Sequence, residues 1–167
     1  MAAMGIDTTG YKIFLVIHIA CAIVGFGGVL LNGLYASKAS KRSPAESLAV
    51  SEINFSVSSI AEYFIYATIL LGLGLSGMSD GVFSFGQTWV WLSLVLAIVG
   101  LGISHGLLRP RVKAYIGTQR DIVTAGTASP DLSARLKSQM TAIGPISLVL
   151  DVLLVAILLM MVFKWGR

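Results

Sequence analysis

Four ionisable side chains, His18, Glu62, His105 and Asp151, lie inside long apolar runs of the sequence. If these runs cross a membrane, each such group costs about 2.5–3.5 kcal/mol at a helix centre, so each needs a physical reason. Counted from the ends of the runs at a rise of 1.5 Å per residue, the depths of Glu62, His105 and Asp151 place all three in the same half of the membrane. Together with Tyr66 they predict one buried polar cluster, suited to a proton or ion path. The alternatives are hydrogen bonds that only hold helices together, or side chains that extend to the headgroups.

His18 lies on a face of small and polar residues. At helical spacing, the other members of this face are Ala22, Gly25, Val29 and Asn32. Such a face belongs inside a bundle and leaves space for a flat cofactor or for another helix. His18 and His105 differ in predicted depth by about 18 Å at 1.5 Å per residue, so we do not expect them to ligate one haem iron together.

Two sets of side chains could bind a cofactor or metal at His18, because sulfur ligands suit haem iron and copper better than hard cations. For haem b the candidates are His18, Gly25, Met160 and Met161. For copper they are His18, Cys21 and Met78. The alternative is that methionine fills gaps in the packing and that His18 hydrogen-bonds across a helix contact.

The segment His18-Ile-Ala-Cys-Ala-Ile-Val-Gly25-Phe26-Gly27-Gly28 resembles the first span of several bacterial membrane protein families. They are the copper-resistance D type proteins, the HemJ-type protoporphyrinogen oxidases and a family of uncharacterised four-span predicted membrane proteins. These families place a histidine seven residues before a Trp-containing glycine stretch, and Gly25 stands where they usually have Trp. The resemblance implies His18 as the position to test for haem or copper.

The composition points to a membrane protein. Of 167 residues, 56% are hydrophobic and 12% are charged, and the mean hydropathy is +0.85. Soluble domains carry about 25% charged residues, so a soluble enzyme, a disordered chain and a nucleic-acid module are excluded. The single cysteine excludes an internal disulfide and a zinc or iron–sulfur site built on several cysteines.

Four apolar runs predict an all-α membrane protein, a single four-helix domain over residues 1–167. Its spans are at about residues 12–35, 57–78, 88–108 and 143–163. Each run approaches the ~20 residues that cross the hydrocarbon core, where only a helix satisfies the backbone of a single span. Residues 1–10 carry Asp7 and no Lys or Arg, so we expect no cleavable signal peptide there.

The distribution of Lys and Arg predicts that both termini lie outside. The first and third loops hold nine of the 12 basic residues, and the two ends of the chain hold three, Lys12, Lys164 and Arg167. Basic loops face the cytoplasm, and Trp89, Trp91 and Trp165 then fall at the outer interface. We expect a multi-pass protein of a bacterial inner (plasma) membrane, in contact with lipid.

Each of the two loops predicted to be cytoplasmic contains residues typical of a helix start. In the first loop they are Ser43, Pro44 and Glu46, and in the third they are Ser129 and Pro130. Residues 112–123 fit either an amphipathic helix lying in the interface or a solvated loop.

Three functions fit these features. The first is a non-catalytic accessory or structural subunit of a larger respiratory or redox membrane complex, with other membrane subunits as partners. The second is a haem b- or copper-binding protein that uses His18. The third is a small ion or proton transporter that uses Glu62, His105 and Asp151. We expect no nucleic-acid partner, and no hydrolase motif is present in the sequence.

Overall fold

The computed structural model describes residues 5–166, which contain helices and no strands. Residues 1–4 and Arg167, which belong to the predictions on the signal peptide and the outer charges, lie outside this range. In chain order the helices are α1 (Thr9–Leu30), α2 (Asn32–Ala39), α3 (Pro44–Met78), α4 (Thr88–Ile103), a π-helical turn (Ser104–Leu108), α5 (Arg109–Ala125) and α6 (Pro130–Phe163).

The prediction of an all-α protein with four membrane spans is confirmed. Four helical stretches are long and apolar enough to cross a membrane, namely Thr9–Ala39, Pro44–Met78, Thr88–Ala125 and Pro130–Phe163. They contain 31 to 38 residues, whereas about 20 suffice to cross the hydrocarbon. The last three therefore continue as helices beyond the predicted spans, on the side of the basic loops.

The predicted helix starts are also found. The Ser43 side chain accepts a hydrogen bond from the Glu46 backbone, and the Glu46 carboxylate binds the Ser43 backbone, which is a complete capping box. The Ser129 side chain caps α6 by accepting from the backbone of Leu132. These caps satisfy backbone donors that would otherwise be left without partners at the helix ends.

Residues 112–123 are helical, but they form neither a separate interfacial helix nor a loop. They belong to α5, which continues from α4 through the π-helical turn and contacts both α3 and α6. Ile116 and Ile122 are buried in these contacts. The helix ends at Gly126, whose φ of 71° lies in the left-handed region that glycine adopts without strain.

Helix α1 packs antiparallel along α3 at a contact made of small residues. A Cβ added to Gly25 would lie 2.9 Å from Ile65 Cγ1, and one added to Gly28 would lie 2.9 Å from Ala61 Cβ. The glycines thus allow the two backbones to approach more closely than any larger residue would. Further along, Asn32 Nδ2 donates to Ser58 Oγ at 3.0 Å.

The bundle consists of two helix pairs with a space between them. Helix α1 packs on α3, helix α4 packs on α6, and α5 joins the pairs by contacting α3 and α6. Between the pairs lies a cavity of about 520 Å³, lined by residues of all six helices. The spans therefore surround a partly open cavity instead of a uniformly packed core.

The end of the bundle near the loop between α3 and α4 is closed by polar contacts. Ser76 Oγ donates to the Phe83 carbonyl at 2.5 Å, and the Phe83 N–H donates to Ser79 Oγ at 2.9 Å. The Lys164 ammonium lies 4.4 Å from the centroid of the Phe83 ring. The backbone of Thr88 donates to Gly166, which places the C-terminal end beside this loop.

The three tryptophans near this end have different environments. Trp91 and Trp165 are exposed, as expected for side chains at a lipid interface, but Trp89 is only 8% exposed. Its Nε1 donates to Gln87 Oε1 at 2.9 Å, and its ring packs edge-on against Phe83 at 5.6 Å. Trp89 therefore lies at the same end of the bundle as Trp91 and Trp165, but the loop and Lys164 cover its ring.

Candidate functional site

The centre of the polar cluster is an ion pair between two spans. Arg109 Nη1 donates to Glu62 Oε2 at 2.5 Å, and Ser104 Oγ makes a long hydrogen bond to Glu62 Oε1 at 3.5 Å. The Glu62 side chain is 14% exposed and that of Arg109 is 32% exposed. Arg109 Nη2 also reaches Ser59 Oγ at 3.3 Å, and its guanidinium lies 5.3 Å from the Phe55 ring centroid. The carboxylate is thus neutralised by a well-held cation.

His105 extends this cluster towards the surface of the bundle. Its Nδ1 lies 3.0 Å from the Leu101 carbonyl oxygen, which can only accept, so Nδ1 carries a proton. Its Nε2 lies 2.9 Å from the Tyr66 hydroxyl and 3.6 Å from Glu62 Oε2. With its proton on Nδ1, the ring accepts at Nε2 from Tyr66. The same nitrogen lies beside the Glu62 carboxylate, so His105 links Tyr66 to the ion pair.

The π-helical turn brings this set of side chains together. Within Ser104–Leu108 the hydrogen bonds run one residue further than in an α-helix, and the Arg109 N–H donates to the Ser104 carbonyl. Ser104 and His105 lie in the turn and Arg109 follows it directly. Single π-helical turns of this kind occur frequently at functional sites.

The structure thus joins Glu62, Tyr66 and His105, as the sequence predicts, and adds Arg109. The sequence pattern predicts that Arg109 lies in the third loop, because it follows the last apolar residue of the span. The structure shows instead that the helix continues through Arg109, which brings it to Glu62 directly after the π-helical turn.

Asp151 is separate from these contacts. It lines the interior cavity together with Glu62, Ser104 and Arg109. Across residues 5–166, no hydrogen bond or ion pair to Asp151 is formed. The predicted cluster is therefore one hydrogen-bonded group plus a carboxylate that shares only the cavity with it.

His18 lies on the other side of α3. Its Nδ1 is 2.9 Å from the Thr68 carbonyl oxygen and therefore carries a proton, and its ring lies against Gly72. Tyr66, the partner of His105, lies two residues before Thr68 on α3. A separation of two residues corresponds to a rotation of about 200° around the helix axis at 3.6 residues per turn. The two histidines therefore face opposite sides of α3, which agrees with the expectation that they do not share an iron.

The residues proposed for haem b are distributed over different contacts. Gly25 packs against Ile65, so α3 fills the space that the small face of α1 offers. Met160 is buried, and both Met160 and Met161 belong to α6, which packs on α4 and α5. His18 Nε2 has no hydrogen-bond partner among residues 5–166, so this ring nitrogen could bind a metal.

The residues proposed for copper are not gathered either. Cys21 lies on α1 one turn from His18, but the antiparallel packing that sets His18 against Gly72 carries Met78 about 9 Å further along α3. Within the described part of the chain, no group of three or more His, Cys, Asp or Glu side chains is arranged to hold a metal ion.

Comparison with known proteins places the chain in a family. The model of the family described as "Predicted integral membrane protein (DUF2269)" matches residues 12–165. No match is found among curated proteins or solved structures. This match supports the resemblance of the first span to bacterial membrane proteins in general. It gives no specific support to the copper-resistance D or HemJ type. Because the match covers nearly the whole sequence, the chain belongs to the DUF2269 family of predicted integral membrane proteins.

Proposed function

We propose that the protein transports protons or small cations, and that the cavity between the helix pairs is its transport site. The observation that carries this proposal is the environment of Asp151. Its carboxyl group lines an interior cavity and has no hydrogen-bond or ion-pair partner among residues 5–166. An isolated carboxylate at such depth is costly, and a proton or a bound cation removes that cost.

Glu62 and Asp151 have different roles in this proposal. Glu62 faces the same cavity but already has its cation, since Arg109 binds it at 2.5 Å. Asp151 is therefore the carboxylate left to take up a proton or cation from the cavity. Ser104, which contacts Glu62, adds a hydroxyl to the same cavity.

The Tyr66–His105–Glu62 chain supplies a route between the cavity and the protein surface. Glu62 faces the cavity, whereas the His105 side chain is 41% exposed at the outside of the bundle. His105 Nε2 lies 2.9 Å from the Tyr66 hydroxyl and 3.6 Å from Glu62 Oε2, so in this proposal a proton passes between these groups at Nε2 while Nδ1 stays bonded to the Leu101 carbonyl. This chain suits protons better than metal cations.

Proton flux in proteoliposomes tests the proposal. With a pH-sensitive dye inside the vesicles, we expect Asp151→Asn to reduce flux at least tenfold, because an amide cannot bind the proton. Asp121→Asn is the matched control, since Asp121 is exposed on α5 and lies outside the cavity. Wild-type flux equal to that of empty liposomes, or unchanged flux in Asp151→Asn, would overturn the proposal.

A second candidate function is binding of haem b, or of copper, through His18. The Nδ1 proton is held by the Thr68 carbonyl, and a metal-binding histidine typically donates its other ring N–H in this way. We expect a Soret band in the absorption spectrum of protein purified from haem-supplied cells. His18→Ala should remove it and His105→Ala should leave it. Absence of the band in the wild type would eliminate the haem form of this candidate.

The accessory-subunit function has its own supporting observation. A Cβ added at Gly102 or Gly106 meets no atom of residues 5–166 within 4 Å, so this glycine pair is not used for packing in the described part of the chain. His105 and Tyr63 are exposed nearby, which would allow another membrane helix to dock. Copurification of larger subunits from solubilised bacterial plasma membrane would support this function.

A further inference from the structure

A second pocket lies at the end of the bundle where the long helices extend beyond the predicted spans. It has a volume of about 330 Å³ and is formed by the α2–α3 loop, α3, α5 and α6. Its polar wall consists of Ser40, Arg42, Ser47, Tyr115, Gln119, Ser133 and Lys137. Its apolar wall includes Ile122, Leu136 and Met140. The pocket is therefore lined by both polar and apolar side chains.

The charge of the pocket is positive. Arg42 enters from the loop and Lys137 from α6, and no acidic side chain lines the pocket. Neither cation forms a salt bridge with a residue of the described range 5–166. Glu46, close to Arg42 in sequence, is hydrogen-bonded by the backbone and hydroxyl of Ser43 and interacts with Arg42 only at longer range, without an ion pair. The two cations are thus available to an anion.

Gln119 is the second observation that points to a ligand. It is 3% exposed, and its Nε2 donates to Ser47 Oγ at 2.8 Å and, weakly, to the Tyr115 hydroxyl at 3.4 Å. Its Oε1 is buried and has no hydrogen-bond partner in the described part of the chain. A buried carbonyl oxygen without a donor is unfavourable. Gln119 lines the pocket, so a rotation of its side chain towards the pocket would let an O–H or N–H group of a ligand satisfy this oxygen.

We infer that this pocket binds a phosphate group that carries a hydroxyl or amine donor, independently of the proposed transport. Arg42 and Lys137 bind the phosphate by charge-assisted hydrogen bonds, and the donor of the ligand bonds to Gln119 Oε1. The apolar wall accommodates the carbon chain next to the phosphate. Two sources offer this chemistry, the headgroup of an anionic phospholipid such as phosphatidylglycerol and a free phosphate ester. Basic sites at the cytoplasmic face recognise such headgroups.

Binding of individual lipids to the detergent-solubilised protein, followed by native mass spectrometry at constant ionic strength, tests this inference. We expect phosphatidylglycerol to bind at least tenfold more tightly than phosphatidylcholine. The double variant Arg42→Gln/Lys137→Gln should lose this preference. The matched control is Lys41→Gln/Arg135→Gln, which removes the same charge from neighbouring positions that do not line the pocket.

Two further experiments identify the source of the phosphate group and the role of its hydrogen-bond donor. Displacement of the lipid by millimolar glycerol 1-phosphate would identify a free phosphate ester as the ligand, and resistance to it would identify the lipid headgroup. Gln119→Leu should lower the preference for phosphatidylglycerol over phosphatidic acid, which lacks the headgroup hydroxyls. Equal loss of binding in both double variants, or no preference for phosphatidylglycerol in the wild type, would overturn the inference.

Discussion

We expect Arg109→Gln to lower the free energy of unfolding by about 3 kcal/mol, because the change leaves Glu62 in its buried position without a cation. Removal of one partner of a buried ion pair typically costs about 3–5 kcal/mol. The lower end applies here, since the Arg109 side chain is 32% exposed and that of Glu62 is 14% exposed. Unfolding by sodium dodecyl sulfate in mixed micelles, followed by circular dichroism, measures this loss.

Two variants separate the ion pair from a general loss of charge. In Glu62→Gln/Arg109→Gln the buried carboxylate is absent, so most of the lost stability should return. Arg111→Gln should have little effect, because the Arg111 guanidinium only bonds the Leu107 carbonyl at an exposed position. If Arg109→Gln were as stable as the wild type, the pair would contribute nothing to holding the third span against α3.

The second large effect concerns the close contact of α1 and α3. Gly25→Leu should destabilise the protein by about 3 kcal/mol, the upper end for insertion of extra volume into a packed contact. A Cβ at position 25 would lie 2.9 Å from Ile65 Cγ1, 3.0 Å from Ile65 N and 3.3 Å from the Ala61 carbonyl oxygen. Two of these three atoms belong to the backbone, so the helices must separate. The same detergent unfolding measures the effect.

Gly27→Leu is the matched control for this prediction. It lies on the same helix two residues away, and an added Cβ there meets no atom within 4 Å. Leucine also has a higher helix propensity than glycine, by somewhat under 1 kcal/mol, so this variant should be neutral or slightly more stable. Equal destabilisation by both substitutions would indicate that glycine at these positions serves something other than the α1–α3 contact.

Hydropathy and capping residues predict the four spans and two of the helix starts. The four apolar runs have no other way to satisfy their backbones in lipid, and Ser43 and Ser129 begin two helices where their side chains predict. Similar depth in the membrane predicts one cluster of Glu62, His105 and Asp151, of which the structure brings together only the first two. Such predictions use local sequence and the nearly constant thickness of the hydrocarbon core.

The partners of the site residues could not be predicted in the same way. Arg109 was assigned to a loop, because a charge after an apolar run is read as the end of a span, whereas the helix continues to Ala125. Gly25 fits a cofactor or a helix equally well until the neighbour is known, and the neighbour is Ile65 of α3. Asp151 lacks a partner because the helix pairs stand apart, which is a property of the bundle as a whole.

The π-helical turn fixes the angular relation between the two parts of the third span. One extra residue in a helix rotates everything after it by about 100° relative to an uninterrupted α-helix. The α4 portion packs on α6, and after the turn α5 contacts both α3 and α6. The turn thus acts as a phase adjustment that directs Arg109 to Glu62. A chain shortened by one residue within Ser104–Leu108 would have almost the same composition and hydropathy, yet the guanidinium of Arg109 would turn away from the Glu62 carboxylate.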